Sequence, residues 1–132
     1  MAGNEEVEKG VSKTPDFVYR ISTAEEWEVF QKEGKIFGGD LDKNSGFIHL
    51  SNLDQVIGTL RNFFQGREDL YLLQIDTKKL GEGLVYEAVD GSTYFPHFYG
   101  PSRSFIPLSL DAVAKSEKLE FVGGEFSCSL LK

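Results

Sequence analysis

Apolar and polar positions change their period several times along the chain, and each change marks an element. The run FVYRIS, Phe17 to Ser22, is β-prone. Thr23 follows it with Glu26 three residues on, the spacing of a capping box, so a helix is predicted from Ala24 to Glu33. Ala24, Trp27 and Phe30 or Gln31 set its inner face, and Gly34 stops it. Lys35 to Gly46 is rich in glycine and aspartate and reads as a flexible surface loop, of a length that often serves as a lid. Phe47 to Leu50 form the next strand, with Ser51 as the cap of a second helix and Asp54 in its first turn. That helix carries the clearest periodicity, because Leu53, Val56, Ile57, Leu60, Phe63 and Phe64 fall on one stripe before Gly66.

The second half reads mostly as strands. LYLLQID, Leu70 to Asp76, is nearly continuous apolar, as a central strand covered on both faces would be. Leu84 to Val89 form another strand after a turn at Gly81 to Gly83, and Asp90-Gly91 is a turn signal. FPHFYGP, Phe95 to Pro101, reads as a stiff aromatic turn bounded by prolines. Ala112 to Phe121 alternates as a closing strand. Helices alternate with strands early and strands dominate late. The expectation is therefore an α+β fold: one compact domain over residues 16–132, with a strongly bent, mixed or split β-sheet and two main helices. Residues 1–15, polar and without periodicity, are expected to be a disordered tail.

Composition narrows the function classes. A net charge of -7 and the absence of any polybasic run exclude tight binding driven by a nucleic-acid backbone. One cysteine, Cys128, allows no internal disulfide, and no secretory pattern opens the chain, so a cytoplasmic location is expected. No apolar stretch approaches membrane-spanning length. A monomer is the expectation, without a sequence feature that sets the oligomeric state. Aromatic residues make up 13% of the chain, which suits a ring-lined site for a flat ligand and equally an aromatic core. With two histidines and one cysteine at no ligand spacing, no metal is expected; no Walker, Rossmann or G-x-S-x-G fingerprint is present.

Both histidines lie in the two most distinctive segments, GFIHLS and FPHFYGP. His49 precedes the helix start at Ser51, where backbone N–H groups favour an anion; the alternative is a histidine bonded within the sheet beside a simple cap. His97 and Tyr99 in their stiff segment suit a wall for a planar ligand and acid–base work, or else a buried aromatic turn. Glu87, inside an apolar strand, is either on the solvent face or held by a partner. Arg20 is the one cation of its strand, placed to meet a phosphate or carboxylate or to sit at an edge.

The order VYRIST, EEWEVFQKEG, GFIHLS, a helix ending in NFF, LYLLQID, VYE, FPHFYGP and LDAV resembles the family called domain of unknown function 952, from about Phe17 to Phe121. That resemblance in turn implies an ADP-ribosyltransferase-like fold, similar in layout to RNA 2′-phosphotransferases, with Tyr19-Arg20 matching the first motif strand and Ile48-His49-Leu50-Ser51 the second. It implies a cleft for NAD or a related nucleotide and transfer of ADP-ribose to a small-molecule or protein acceptor. His49, Glu87 and His97 would then be catalytic, and Arg20, Ser51, Tyr94, Tyr99 and Arg103 would hold the cofactor. One departure is that Arg20 stands where that superfamily usually has histidine. A guanidinium can hold a pyrophosphate but lacks the acceptor that an imidazole offers a ribose hydroxyl. The alternative is a module that binds a nucleotide or planar anion without turnover.

Overall fold

A computed structural model describes residues 15–89 and 91–131 of the chain. The elements in order are β1 (Phe17–Thr23), α1 (Ala24–Glu33), β2 (Lys35–Ile36), α2 (Asp40–Ser45), β3 (Ile48–His49), α3 (Leu53–Phe63), β4 (Leu70–Asp76) and α4 (Thr77–Leu80). The chain continues as β5 (Leu84–Ala88), β6 (Tyr94–Phe98), β7 (Leu108–Ser109), β8 (Val113–Lys118), β9 (Glu120–Val122) and β10 (Glu125–Ser127). The expected tail lies outside the described residues except for Pro15, whose carbonyl accepts a hydrogen bond from the Thr77 hydroxyl at 2.7 Å.

Two three-stranded sheets form the frame, β1-β4-β8 and β3-β6-β5, and β2-β7 and β9-β10 add two-stranded pieces. All of these pairs are antiparallel, so the sheet is not mixed as expected. The reason is connectivity. Each of α1, α3 and α4 carries the chain into a different sheet, and none returns it beside a parallel neighbour. The two large sheets meet at a narrow seam, where Tyr19 and Ser51 exchange N–H to carbonyl bonds of 2.8 Å in both directions. Across that seam the strands follow one another as β8-β4-β1-β3-β6-β5, which gives the split sheet.

The apolar run of β4 is buried on both faces, as its composition predicts. Leu73 and Ile75 join Val18, Phe30, Ile48, Leu50 and Phe98 in one layer. Leu70 and Leu72 join Val56, Leu60, Leu119 and Phe126 in the other. Helix α1 starts where expected, with the Thr23 hydroxyl accepting from the Glu26 N–H at 3.0 Å, and stops at Gly34 in the left-handed conformation. Its inner face is Phe30 and Trp27; Ala24 and Gln31 are exposed.

Four local expectations are corrected. The stretch from Lys35 to Gly46 is no loose lid: it contains β2 and α2 and buries Asp42. FPHFYGP is no turn, because its first four residues belong to β6, the central strand of its sheet. Pro96 is tolerated there because its carbonyl, and hence its nitrogen, faces β3 where that strand is ending; the carbonyl accepts from Leu50 at 3.1 Å. Helix α3 takes Asn52 as its N-cap instead of Ser51, and Phe63 leaves the stripe to stand 77% exposed. The closing strand breaks at Leu119, which turns inward and separates β8 from the β9-β10 hairpin.

These positions set a stability contrast. Leu73→Ala, in the fully buried centre of β4, is expected to cost about 2–5 kcal/mol in urea unfolding. Phe63→Ser on the exposed side of α3 is expected to stay within about 0.5 kcal/mol of the parent.

Candidate functional site

Strand alternation sorts the β3-β6-β5 sheet into two faces. Ile48, Leu50, Leu84 and Phe98 turn into the apolar layer. Phe47, His49, His97, Tyr99 and Glu87 turn the other way and come together. In the antiparallel register His49 stands directly opposite His97, and their ring centroids are 5.5 Å apart. Phe47 stacks on His97 at 3.9 Å and lies 4.5 Å from His49 and 5.3 Å from Tyr99. The aromatic wall of the site is therefore Phe47 and Tyr99.

Each imidazole is held through Nδ1 by a carboxylate. His49 Nδ1 is 2.9 Å from Asp42 Oδ1, and its backbone N–H donates to the same oxygen at 2.9 Å. Asp42 reaches this position because it is the third residue of α2 and its side chain also accepts from the Gly39 N–H at 2.8 Å. Gly38 makes room: it holds φ +80°, and a Cβ there would come within 2.3 Å of Asp42 Oδ2.

Behind Asp42 lies Arg20, buried in β1. Its Nη1 donates to Asp42 Oδ1 at 2.9 Å and to the His49 carbonyl at 3.1 Å. Its Nη2 donates to Asp42 Oδ2 at 3.0 Å and to Glu26 Oε1 at 2.7 Å, and its Nε to Glu26 Oε2 at 3.1 Å. A guanidinium has five N–H donors, and all five are used. Burial opposes the Arg20 charge, but Glu26 and Asp42 more than offset it and raise its pKa. Burial likewise opposes the Asp42 charge, and the bonds from His49 and Arg20 overcome it, holding the carboxyl well below the usual range. An ionised carboxylate cannot donate, so Nδ1 of His49 carries the proton; in the neutral ring Nε2 is then the acceptor.

The second dyad repeats this chemistry with other partners. His97 Nδ1 is 2.6 Å from Glu87 Oε1. Tyr99 donates its hydroxyl to Glu87 at 2.9 and 3.2 Å, and Arg103 Nη1 donates to Oε2 at 2.5 Å. Against its burial, these donors bring Glu87 down to about 2. Burial lowers the pKa of His97 further than Glu87 raises it, so the ring is neutral at pH 7, with its proton on Nδ1. Among the described residues, neither Nε2 has a hydrogen-bond partner. The result is two tautomer-fixed imidazoles side by side, able to accept hydrogen bonds or protons.

Comparison with known proteins places the chain. The family described as protein of unknown function DUF952 matches residues 21–116. The chain belongs to the DUF952 family. Among solved structures it is similar to the crystal structure of protein CC0527 from Caulobacter crescentus, with 31% identity and a TM-score of 0.74 over 84% of this chain and 93% of that one. The solution NMR structure of CC0527 gives 30% identity and a TM-score of 0.72 over 85% and 91% of the two chains. No curated protein matches significantly.

In this DUF952 chain the structure brings together His49, His97, Glu87, Tyr99 and Arg103. It separates three other residues expected at the site. Arg20 supports Asp42 from behind and has no donor left for a pyrophosphate. Ser51 caps nothing, since its backbone forms the seam with Tyr19, while the start of α3 is closed by Gln55 Oε1 on the Asn52 N–H at 2.8 Å. Tyr94 has the opposite parity in β6 and does not face the histidines; its carbonyl takes the Gln55 side chain at 2.7 Å. Glu26 does not reach back to cap α1, because Arg20 holds its carboxylate. Asp42 and Phe47 were not singled out from the sequence. The spacing Gly39-x-x-Asp42 before Gly46 was the available sign of α2. One surface depression lies by Thr77 and Tyr86 and another by Glu117 and Cys128, and neither is lined by the histidines.

The pKa directions set a pH profile for stability in this DUF952 domain. Asp42 and Glu87 are depressed in the folded state, so their contribution is complete above the usual carboxylate range of about 4 and is lost as pH falls toward their folded values. His97 is depressed below 6.5, so its contribution is complete above that value and declines as pH falls through it. Urea midpoints are expected to drop modestly from pH 7 to 5 and steeply below 4. His97→Gln should flatten the first decline and Asp42→Asn should shallow the second. The latter should also cost about 3–5 kcal/mol at neutral pH, because Arg20 stays buried with one carboxylate fewer.

Proposed function

We propose that the histidine face binds NAD or a related nucleotide through its ribose and transfers ADP-ribose to a small-molecule or protein acceptor. The observation that carries this reading is the pair of carboxylate-fixed imidazoles with centroids 5.5 Å apart, each presenting Nε2 as an acceptor. Vicinal ribose hydroxyls are two adjacent donors, the complement of two adjacent acceptors. Phe47 and Tyr99 supply aromatic surface beside them. His97 is 6% exposed, and its Nε2 has no partner among the described residues, which leaves an acceptor for an incoming donor. The ADP-ribosyltransferase-like layout expected from the motifs is part of this proposal; the DUF952 match carries no assigned function of its own.

In the reaction the bond between ribose C1′ and the nicotinamide nitrogen breaks, and the nitrogen keeps the electron pair and becomes neutral. A new bond forms from C1′ to the acceptor oxygen or nitrogen, whose proton passes to the Nε2 of one imidazole; that ring gives up its ribose hydroxyl for this step while the other keeps its own. His49, with its side chain 31% exposed, is the more accessible base. Glu87 orients His97 in this scheme and does not meet the ribose directly. A second reading, binding without turnover, is favoured by one observation: both carboxylates are already engaged by cations and imidazoles, so neither is free to face an oxocarbenium centre.

Calorimetry with NAD, ADP-ribose and nicotinamide, followed by a nicotinamide-release assay, separates the two readings. The transferase predicts turnover that falls by about 100-fold or more in His49→Ala, with ADP-ribose still bound. Binding without release of nicotinamide supports the module. No heat with any of the three compounds rejects both.

A further inference from the structure

The two arginines near the imidazoles are in opposite states. Arg20 is closed, with every donor satisfied inside the protein. Arg103 is open: its side chain is 61% exposed, it gives Nη1 to Glu87, and its Cζ lies 5.0 Å from the centre of the Tyr99 ring.

The segment that carries Arg103 is tightly built. The Gly100 N–H donates to the Ser104 carbonyl at 2.7 Å and the Ser104 N–H to the Pro101 carbonyl at 3.1 Å, which pinches the loop at its base. Gly100 is packed so closely that a Cβ would sit 2.6 Å from both Ile106 Cγ2 and Ser104 Oγ. At the tip, Ser102 and Arg103 hold φ of 58° and 59°, the left-handed region that side chains other than glycine enter at a cost. Such strain persists where the surroundings impose it, and it concentrates at ligand clamps and active sites. Here its effect is to fold Arg103 back over Tyr99 toward the histidine face.

We propose that Arg103 is the anion clamp of this site: a ligand phosphate takes its guanidinium in place of Glu87, so the site selects phosphorylated nucleotides over nucleosides. The proposal rests on the nucleotide reading above and adds the residue that holds the ligand's phosphate. A planar guanidinium bonds phosphate in two-pronged fashion, as it does a carboxylate, and Glu87 occupies the position such an anion would take. The exchange has a low barrier in energy, because an exposed ion pair is weak in water. It also leaves no bare charge, since Glu87 keeps the His97 Nδ1 proton and the Tyr99 hydroxyl.

Calorimetry on the full chain with adenosine, ADP-ribose and inorganic pyrophosphate tests this. The parent is expected to bind ADP-ribose about tenfold or more tighter than adenosine. Arg103→Ala should erase that preference and leave adenosine affinity in place, and Arg103→Lys should recover it only in part. Ser102→Pro, which forbids the left-handed tip while keeping the guanidinium, should lose the preference as well. If Arg103→Ala retains the full preference, the clamp is overturned and the nucleotide reading stands. If pyrophosphate binds and is lost in Arg103→Ala while adenosine does not bind, the clamp stands and ribose recognition falls. Silence with all three compounds overturns both.

Discussion

The buried pair of Arg20 and Asp42 governs the candidate site. Arg20 points from β1 into an interior layer, where an unpaired charge would be prohibitive, so its position is possible only with carboxylates delivered to it. Glu26 comes from α1 and Asp42 from α2, and the His49 carbonyl completes the set. Neutralising one cation thus ties β1, two helices and β3 to a common point. Asp42 then has acceptor capacity left over, and it takes the Gly39 N–H, the His49 N–H and the His49 ring proton. The tautomer of a surface imidazole is in this way a consequence of charge balance in the interior.

Register carries the second constraint. Residue 49 faces residue 97 because β3 and β6 pair in the order that also places Ile48 opposite Phe98 in the apolar layer. A slip of either strand by one residue would turn its own apolar residue, Ile48 or Phe98, outward and its own histidine into the core, so hydrophobic burial on one face holds the chemistry on the other. The seam at Tyr19 and Ser51 extends this logic, because it brings the first sheet, and with it Arg20, up against the strand that bears His49. Two layers of packing therefore converge on one pair of rings.

How much of this was legible follows from the range of the interactions. Helix α1 was readable in its cap and stop because Thr23, Glu26 and Gly34 act within one or two turns, and β4 because its apolar run is long. The pairing of His49 with His97 was suggested only by their rarity and motif context, as register is not written in either segment alone. The central-strand role of FPHFYGP was hidden because proline and closely spaced aromatics imitate a turn, and tolerance of Pro96 depends on where a neighbouring strand stops. Arg20 looked like a ligand contact since a sequence does not reveal that five donors are already satisfied. Asp42 was obscured by glycines and polar residues that disguise a short helix, although Gly38 is small there for its sake.

The two halves of the site differ in how firmly they are held, and that difference bears on what the face can do. His49 rests on a carboxylate whose partners are buried, so moving it would expose charge in the interior. His97 rests on Glu87, whose other partners, Tyr99 and Arg103, stand at an accessible rim. Local stability should follow this gradient, high behind His49 and low at the strained tip of the Arg103 loop. A recognition surface profits from that division, since the fixed ring supplies direction for hydrogen bonds and the exposed cation meets charge. The same division assigns the work at this face: acceptor geometry is set from below by the buried ion pair, and closure on a ligand needs only one side chain to change its carboxylate for a phosphate.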